Sequence, residues 1–123
     1  MICLDTNYLI GGLVSGSLES RKLISWTQAG EILITAMPAW HEFLCGPVTT
    51  SQITAIRAFL QDIIPFDDAR AVESARLFNA AGRKRALRID AMIAATATLS
   101  GAALATNNRG DFAAFVPHGL KLA

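Results

Sequence analysis

Carboxylates at the ends of apolar segments are the residues of this sequence that could do chemistry. Asp5 follows a short apolar run, Glu42 lies in a mainly apolar segment, and Asp90 opens an alanine-rich one. Asp111 lies in a polar stretch shortly after Asn108. Carboxylates that share an apolar cleft repel one another unless a cation neutralises them. Oxygen ligands without a set of His or Cys residues select hard divalent ions, so the pattern predicts a Mg²⁺ or Mn²⁺ site for phosphodiester hydrolysis.

Each of these acids also has an ordinary structural interpretation. Asp5 could cap the helix that follows it, and Asp90 could interact favourably with the positive end of its own helix dipole. Glu42 could be a partly exposed helical residue, and Asp111 could cap or turn its loop. Convergence of the four at one edge of a sheet favours metal binding. Capping near Asp5 is then expected from the two polar residues after it.

Short apolar runs alternate with amphipathic segments along the chain. We expect strands at 2–4, 31–35, 63–66 and 102–105, and helices at about 6–13, 18–29, 36–46, 51–61, 69–81 and 89–100. This alternation predicts a parallel sheet covered on both faces, with ligands at the carboxyl ends of its strands. Pro65 cannot donate to a ladder, so the third strand should lie at an edge. Residues 106–112 are predicted as a polar loop, and the stretch containing Leu120 and Leu122 could add an edge strand.

Length and composition limit the class of protein. The 123 residues form one domain, 1–123, and 52% of them are hydrophobic. No apolar run reaches the length of a membrane span, and the N-terminus lacks the pattern of a secretory signal. Cys3 and Cys45 are expected to be reduced, buried thiols of a cytoplasmic protein. A net charge of +1 favours no particular partner.

A cluster of basic residues lies immediately before Asp90. It comprises Arg83, Lys84, Arg85 and Arg88. The cluster could be a solvated helix end, or it could contact nucleic-acid phosphates with a salt-dependent affinity. We favour the phosphate-binding interpretation, to which Arg109 could contribute.

The histidines and tryptophans have simpler interpretations. His41 adjoins Glu42 and should point away from the face that carries it, as a surface or interface residue, and His118 is interpreted in the same way. Trp40 and the other large aromatic residues are expected in the core or an interface. Stacking of an unpaired base on Trp40 would require that side chain to be exposed.

Four motifs together resemble the PIN-domain ribonucleases, and among them the VapC toxins of bacterial toxin–antitoxin pairs. The motifs are Leu4-Asp-Thr-Asn7, Glu42 before Phe-Leu-Cys-Gly, Asp90-Ala-Met-Ile-Ala-Ala-Thr-Ala97 and Ala105-Thr-Asn-Asn-Arg-Gly-Asp-Phe112. Their order is that of the family and their spacing is nearly so. The resemblance runs from residue 2 to about residue 122.

The resemblance implies an α/β fold, a three-layer α/β/α domain with a short, mainly parallel central sheet. It implies a Mg²⁺- or Mn²⁺-dependent endoribonuclease that hydrolyses RNA phosphodiester bonds. It also implies a homodimer in the cytoplasm that is silenced by a small VapB-like antitoxin and joins it in a larger complex.

Residue by residue, the resemblance assigns Asp5, Glu42 and Asp90 to the three core acids. The supporting polar positions of the family are matched by Thr6, Asn7 and Thr106. Asp5 and Asp90 are expected to hold the metal, with Glu42 acting directly or through water.

The fourth acidic position has two candidates. Some members of the family carry Asp where this chain has Asn108, and others use the Asp before Phe, which is Asp111 here. We favour Asp111 as the carboxylate, bound directly or through water, and Asn108 as a neutral residue that positions water.

Other classes of protein fit less well. A phosphohydrolase of the haloacid dehalogenase type needs a second Asp where this chain has Asn7, and a receiver domain needs an acidic pair before Asp5. A catalytically weak or inactive PIN-like module that binds RNA or protein stays open, because Asn108 replaces an acid found in some relatives.

Overall fold

The central layer is a four-stranded, all-parallel sheet. A computed structural model describes all residues, 1–123. The strands are β1 (Ile2–Leu4), β2 (Leu33–Ala36), β3 (Asp62–Ile64) and β4 (Ala103–Ala105). Their order is β3-β2-β1-β4, so β3 lies at an edge, as Pro65 predicts.

Seven helices surround the sheet. They are α1 (Thr6–Gly11), α2 (Leu18–Gln28), α3 (Met37–Leu44), α4 (Thr50–Arg57), α5 (Asp68–Ala80), α6 (Arg88–Ser100) and α7 (Arg109–Phe112). Two 3₁₀ turns occupy Arg85–Leu87 and Ala113–His118. None of the helices combines the length and the apolar character needed to cross a bilayer.

Side chains that point alternately to the two faces of the sheet divide the core into two clusters. In β1, Ile2 and Leu4 pack with buried residues of α1, α2, α3 and α4. Cys3 belongs to the opposite cluster, with buried residues of α5, α6, α7 and the C-terminal segment. Successive side chains of a strand point to opposite faces, so both faces of the sheet are covered. The predicted α/β/α architecture is confirmed.

Helix α6 is the most deeply packed of the seven. Its buried residues are Ala91, Ile93, Ala94, Ala95, Thr96 and Ala97. Small side chains let it lie close to its neighbours, and its contacts with α5 are the most extensive between any two elements. Gly101 ends α6 in the left-handed conformation at φ +69°, a backbone that glycine adopts without steric cost.

Several sequence expectations need correction. Residues 109–112 form the short helix α7 inside the expected polar loop, and α4 ends at Arg57. The C-terminal stretch adds only one parallel bridge, between Leu104 and Leu122. Cys3 is buried, and burial raises the pKa of its thiol to about 12, but Cys45 is exposed. Cys45 is the residue directly after α3, and its side chain is not part of the buried face of that helix.

Candidate active site

The topology brings four chain segments to one edge of the sheet. Asp5 follows β1 and Thr106 follows β4, and the Asp5 amide donates to the Ala105 carbonyl at 2.9 Å. Helix α3 starts directly after β2, which places Glu42 above the same edge, and α6 contributes Asp90 from its first turn. A cleft of about 200 Å³ is lined by Asp5, Thr6, Asn7, Ile10, Glu42, Asp90 and Asn108. The carboxyl edge of a parallel sheet is the usual place for a ligand.

Asp5 is buried, at 5% exposure, and both of its carboxylate oxygens accept hydrogen bonds. Oδ1 accepts from the Thr6 amide at 2.8 Å, so Asp5 itself caps α1. Oδ2 accepts from the Thr106 hydroxyl at 2.7 Å and from Asn7 Nδ2 at 3.4 Å. The expectation that the residues after Asp5 would do the capping is therefore wrong. One carboxylate caps the helix and faces the cleft, because each oxygen has two lone pairs.

Thr106 is oriented from its other side. Its oxygen accepts from the Asn108 amide at 3.0 Å, and its single hydroxyl proton is directed to Asp5. Thr106 is 4% exposed, so the pair lies away from bulk water. This chain of hydrogen bonds ties the loop after β4 to the carboxylate after β1.

Glu42 is held by α1. The Thr6 hydroxyl donates to Glu42 Oε2 at 2.9 Å and also lies 3.4 Å from the Ala39 carbonyl. Glu42 is exposed, and its other oxygen has no protein partner at hydrogen-bond distance. That oxygen is therefore available to water or a ligand in the cleft.

The charges of the cleft are not balanced by the protein. Burial, and then repulsion from Asp5, Asp111 and Glu42, raises the pKa of Asp90 to about 6. Burial also raises the pKa of Asp5, against the lowering effect of its hydrogen bonds. The salt bridges of the protein join Met1 to Glu31, Asp67 to Arg70 and Glu73 to Arg76, all elsewhere. The cleft thus has an uncompensated negative potential.

Of the two candidates for the fourth position, Asn108 lines the cleft and Asp111 does not. Asn108 lines the cleft and begins α7 without using its side chain as a cap. Asp111 is exposed in α7 and does not line the cleft, but it is close enough to help raise the pKa of Asp90. The preference for Asp111 as the carboxylate and Asn108 as a water-positioning residue stays a prediction.

The donor set fits a hard, hydrated cation. No three His, Cys, Asp or Glu side chains are preassembled to enclose a metal ion by themselves. Mg²⁺ takes one or two carboxylates and keeps several waters, so it does not need such an enclosure. Two carboxylates of raised pKa in a cleft without a basic partner supply suitable ligands for it.

The sequence analysis gave no role to two residues of this network, Glu19 and Asn107. Asn107 Nδ2 donates to Glu19 Oε1 at 2.9 Å, and the Asn107 amide donates to Asn7 Oδ1 at 3.1 Å. The carboxylate of Glu19 thereby fixes the loop that carries Thr106. Glu19 resembles an ordinary acid in the first turn of α2, and no local signal pairs it with a residue 88 positions away.

Trp40 lies in the core and His41 at the surface, as the sequence predicts for both. Trp40 is 4% exposed and packs against Phe43 and under Arg57, so it cannot stack on a base. His41 is exposed, as predicted, but it lines a groove together with Glu42. Adjacent helical residues are about 100° apart, so both can border one wide groove.

The predicted basic residues do not line the acidic cleft. Arg88 borders a pocket between α5 and α6, and Arg109 donates to the C-terminal Ala123 carbonyl at 2.8 Å. Arg83 contacts Asn79 and lies over the Phe78 ring. Lys84 and Arg85 are exposed beside it. A phosphate-binding role for these residues stays a prediction.

The chain belongs to the PIN-domain family. The family model for the PIN domain matches residues 2–115, nearly the whole chain. PIN domains form a family of nucleases, which typically use a divalent metal. Membership of this family supports a hydrolase that acts on nucleic acid. None of the curated proteins matches the sequence significantly.

Several solved structures share the fold of this chain. FitAcB from Neisseria gonorrhoeae has a TM-score of 0.74 at 22% identity, covering 99% of this chain and 96% of that one. VapBC2 from Rickettsia felis, bound to a promoter DNA fragment, has a TM-score of 0.77 at 18% identity, covering 100% and 98%. A toxin–antitoxin complex from Klebsiella pneumoniae has a TM-score of 0.66 at 29% identity, covering 92% and 91%.

Proposed function

We propose that this protein is a metal-dependent endoribonuclease and the toxin of a VapBC-type toxin–antitoxin pair. The observation that carries the proposal is the acidic cleft at the carboxyl edge of the sheet. Three acids from separate segments line it, no basic side chain pairs with them, and Asp90 has a pKa raised to about 6. Membership of the PIN-domain family supports the same reaction class.

Asp5 and Asp90 would hold the cation, with Glu42 and Asp111 directly or through water. Mg²⁺, or Mn²⁺ in its place, supplies activation of water and stabilisation of the charge that develops on a phosphodiester. Thr106 and Asn7 hold the Asp5 carboxylate in a fixed orientation.

Glu42 has a separate task in this proposal. Thr6 fixes one of its oxygens, and the other is free to accept a hydrogen bond from water in the cleft. Asn108, whose side chain does not cap α7, is placed to orient a second water or the substrate.

RNA is the proposed substrate, with the basic residues before Asp90 as a phosphate-binding surface. The support for RNA is the resemblance of the four sequence motifs to PIN-domain ribonucleases. The support for the basic surface is charge: Lys84, Arg85 and Arg88 are exposed and make no salt bridge. Phosphate contacts of this kind give affinity without sequence preference.

The proposed partners are a small VapB-like antitoxin and a second copy of the chain. The support for an antitoxin is that one structural neighbour is a toxin–antitoxin complex and another is VapBC2 bound to promoter DNA. In this chain, three apolar side chains of the α1–α2 region are exposed, with Ile10 at 49%, Val14 at 58% and Leu18 at 54%. A partner that buries them would also cover the cleft, because Ile10 lines it.

A cleavage assay on total RNA tests the proposed activity. We expect cleavage with Mg²⁺ or Mn²⁺, none with EDTA, and none of single-stranded DNA of the same sequence. The variant D90N should lose at least about 100-fold in rate, as removal of a core charge-stabilising group does. D68N is the matched control, because Asp68 is an exposed acid of α5 outside the cleft, and it should cleave normally.

Two results would contradict the proposal. Cleavage by D90N at the wild-type rate would show that Asp90 is not needed for the reaction. Binding of RNA without metal-dependent cleavage by the wild-type chain would favour the non-catalytic module.

Light scattering of the protein alone and with the product of a neighbouring small gene tests the homodimer and the antitoxin complex.

A further inference from the structure

A second groove opens from the acidic cleft along α3. It has a volume of about 390 Å³ and is lined by Pro38, His41, Glu42, Cys45, Ile89 and Asp90. Its α3 residues are spaced three and four apart, so they form one stripe on the helix. The start of α6 forms the opposite wall.

The groove and the acidic cleft are adjacent. Both are bordered by Glu42 and Asp90, so a chain whose phosphate lies in the cleft can place its next chemical group in the groove. The volume is at the small end of the range for ligand pockets, about 300–1,000 Å³. This is space for one nucleoside unit, not for a folded segment.

The composition of the groove disfavours a phosphate. Its only charged residues are the two acids at the end shared with the cleft, and no Lys or Arg lines it. Away from that end the walls are Pro38, the half-exposed Ile89, and the exposed His41 and Cys45, with Cys45 Sγ and His41 Nε2 3.6 Å apart. Apolar walls with a ring and a few polar atoms suit a flat, neutral heterocycle.

We propose that this groove binds the unpaired nucleobase next to the scissile phosphate, with His41 as the stacking or hydrogen-bonding residue. The inference rests on the proposed nuclease function and adds a base-binding subsite to it. Single-stranded RNA can place a splayed base on a side-chain ring, whereas a base in a duplex is stacked and unavailable. The groove therefore selects single-stranded or looped substrate.

Cys45 provides a reporter for occupancy in the native chain. It is the exposed cysteine, and Cys3 is fully buried, so a thiol-reactive dye should label Cys45 alone. A short single-stranded RNA should slow this labelling at least about fivefold, and an abasic oligomer of the same length should not. C45S serves as the control for selective labelling.

The labelling is measured under two conditions that leave the RNA intact. One is the wild-type chain in EDTA, and the other is D5N with Mg²⁺, which reduces the negative charge that opposes phosphate. Protection by RNA but not by the abasic oligomer in either condition supports the proposal. Equal labelling rates with and without RNA in both conditions overturn it, as does equal protection by the two oligomers.

Kinetics of variants give an independent readout. H41A and I89A should raise KM for a single-stranded substrate about tenfold and leave kcat within about twofold. V72A is the matched control, because Val72 is 64% exposed on α5 and lines neither cavity. Unchanged KM in both groove variants would contradict the subsite.

Failure of the subsite and failure of the nuclease function have different signatures. If the wild-type chain cleaves RNA but labelling and KM are unaffected, the subsite is wrong and the function stands. If RNA protects Cys45 but is never cleaved, the subsite stands and the function is wrong. Protection by the antitoxin, with none by RNA, assigns the groove to the protein partner and overturns the proposal.

Discussion

Thr106 joins the loop after β4 to the Asp5 carboxylate of the acidic cleft. Its hydroxyl donates to Asp5 Oδ2 at 2.7 Å and accepts from the Asn108 amide at 3.0 Å. The contact with Asp5 is buried, and a hydrogen bond to a charged group contributes more to stability than a hydrogen bond between neutral groups. Groups that orient a metal ligand commonly affect metal affinity and activity about 10- to 100-fold.

We therefore expect T106V to weaken Mn²⁺ binding and RNA cleavage by about tenfold or more, because valine keeps the shape and removes the donor. The free energy of unfolding should fall by about 1–2 kcal/mol. T106S keeps the hydroxyl and should retain most of both properties. Calorimetric titration with Mn²⁺ and a cleavage time course measure them, and equal values for T106V and T106S would show that the hydroxyl is dispensable.

Helix α6 is the element that sets the position of Asp90. It packs through alanines against the sheet and α5, and it ends at Gly101 in the left-handed region. No atom lies within 4 Å of the position that a Cβ on Gly101 would take, so a substitution there meets only backbone strain. This makes the end of α6 a clean test of helix termination.

G101A should lower the free energy of unfolding by about 1 kcal/mol, since alanine resists the left-handed conformation. The position is at the far end of α6 from Asp90, so cleavage by the folded variant should be unchanged. G110A is the matched control: Gly110 also has open space around it, lies in α7 and has no positive φ. Urea denaturation of the two variants measures the difference, and equal midpoints would argue against a glycine requirement.

At the scale of the whole molecule, the fold brings negative charge to one edge of its sheet and leaves it uncompensated. The chain is otherwise nearly neutral, with a net charge of +1. Without a cation, repulsion between these carboxylates lowers the stability of the folded state. Metal binding, or protonation, relieves that repulsion.

The pH dependence of stability follows from the sign of these shifts. Burial first, and then neighbouring acids, raises the pKa of Asp90 from its ordinary value of 3.8 to about 6. Between these values the folded chain binds more protons than the unfolded chain, so stability falls as pH rises through about 6. The metal-free protein should thus be more stable near pH 4 than near pH 7 as far as Asp90 is concerned.

D90N should stabilise the metal-free protein at pH 7 while it lowers the cleavage rate at least about 100-fold. The gain in the free energy of unfolding should be about 1 kcal/mol, after allowance for solvent screening of a half-buried carboxyl. The gain should vanish near pH 4, where Asp90 of the wild type is itself protonated. Thermal unfolding in EDTA at both pH values measures it.

The control for this prediction is D67N. Hydrogen bonds from the amide and guanidinium of Arg70 lower the pKa of Asp67, so its charge is favourable in the folded state. D67N should therefore not raise stability at pH 7. A stability of D90N at or below the wild-type value at pH 7 would show that the cleft charges cost nothing in the folded state.

The elements of this protein could be predicted from the sequence because their signals are local. The spacing of apolar residues indicates each helix or strand from within its own segment. Three residues likewise affect only the backbone near them: Pro38 at the start of α3, Pro65 after the edge strand and Gly101 after α6. The acids that follow β1 and open α6 could be identified for the same reason. Helix α7 was missed because its four residues are too few to show a helical periodicity.

The sequence by itself determined the class of fold and the acidic residues that the fold gathers. Only the tertiary structure decided how they are held: Thr106 reaches Asp5 across 101 positions, and Asn107 reaches Glu19 across 88. It also decided that Trp40 is buried while His41 borders a groove with Glu42. The physical reason is that hydrogen bonds between distant segments and the exposure of a side chain depend on how whole layers pack, which no local pattern encodes.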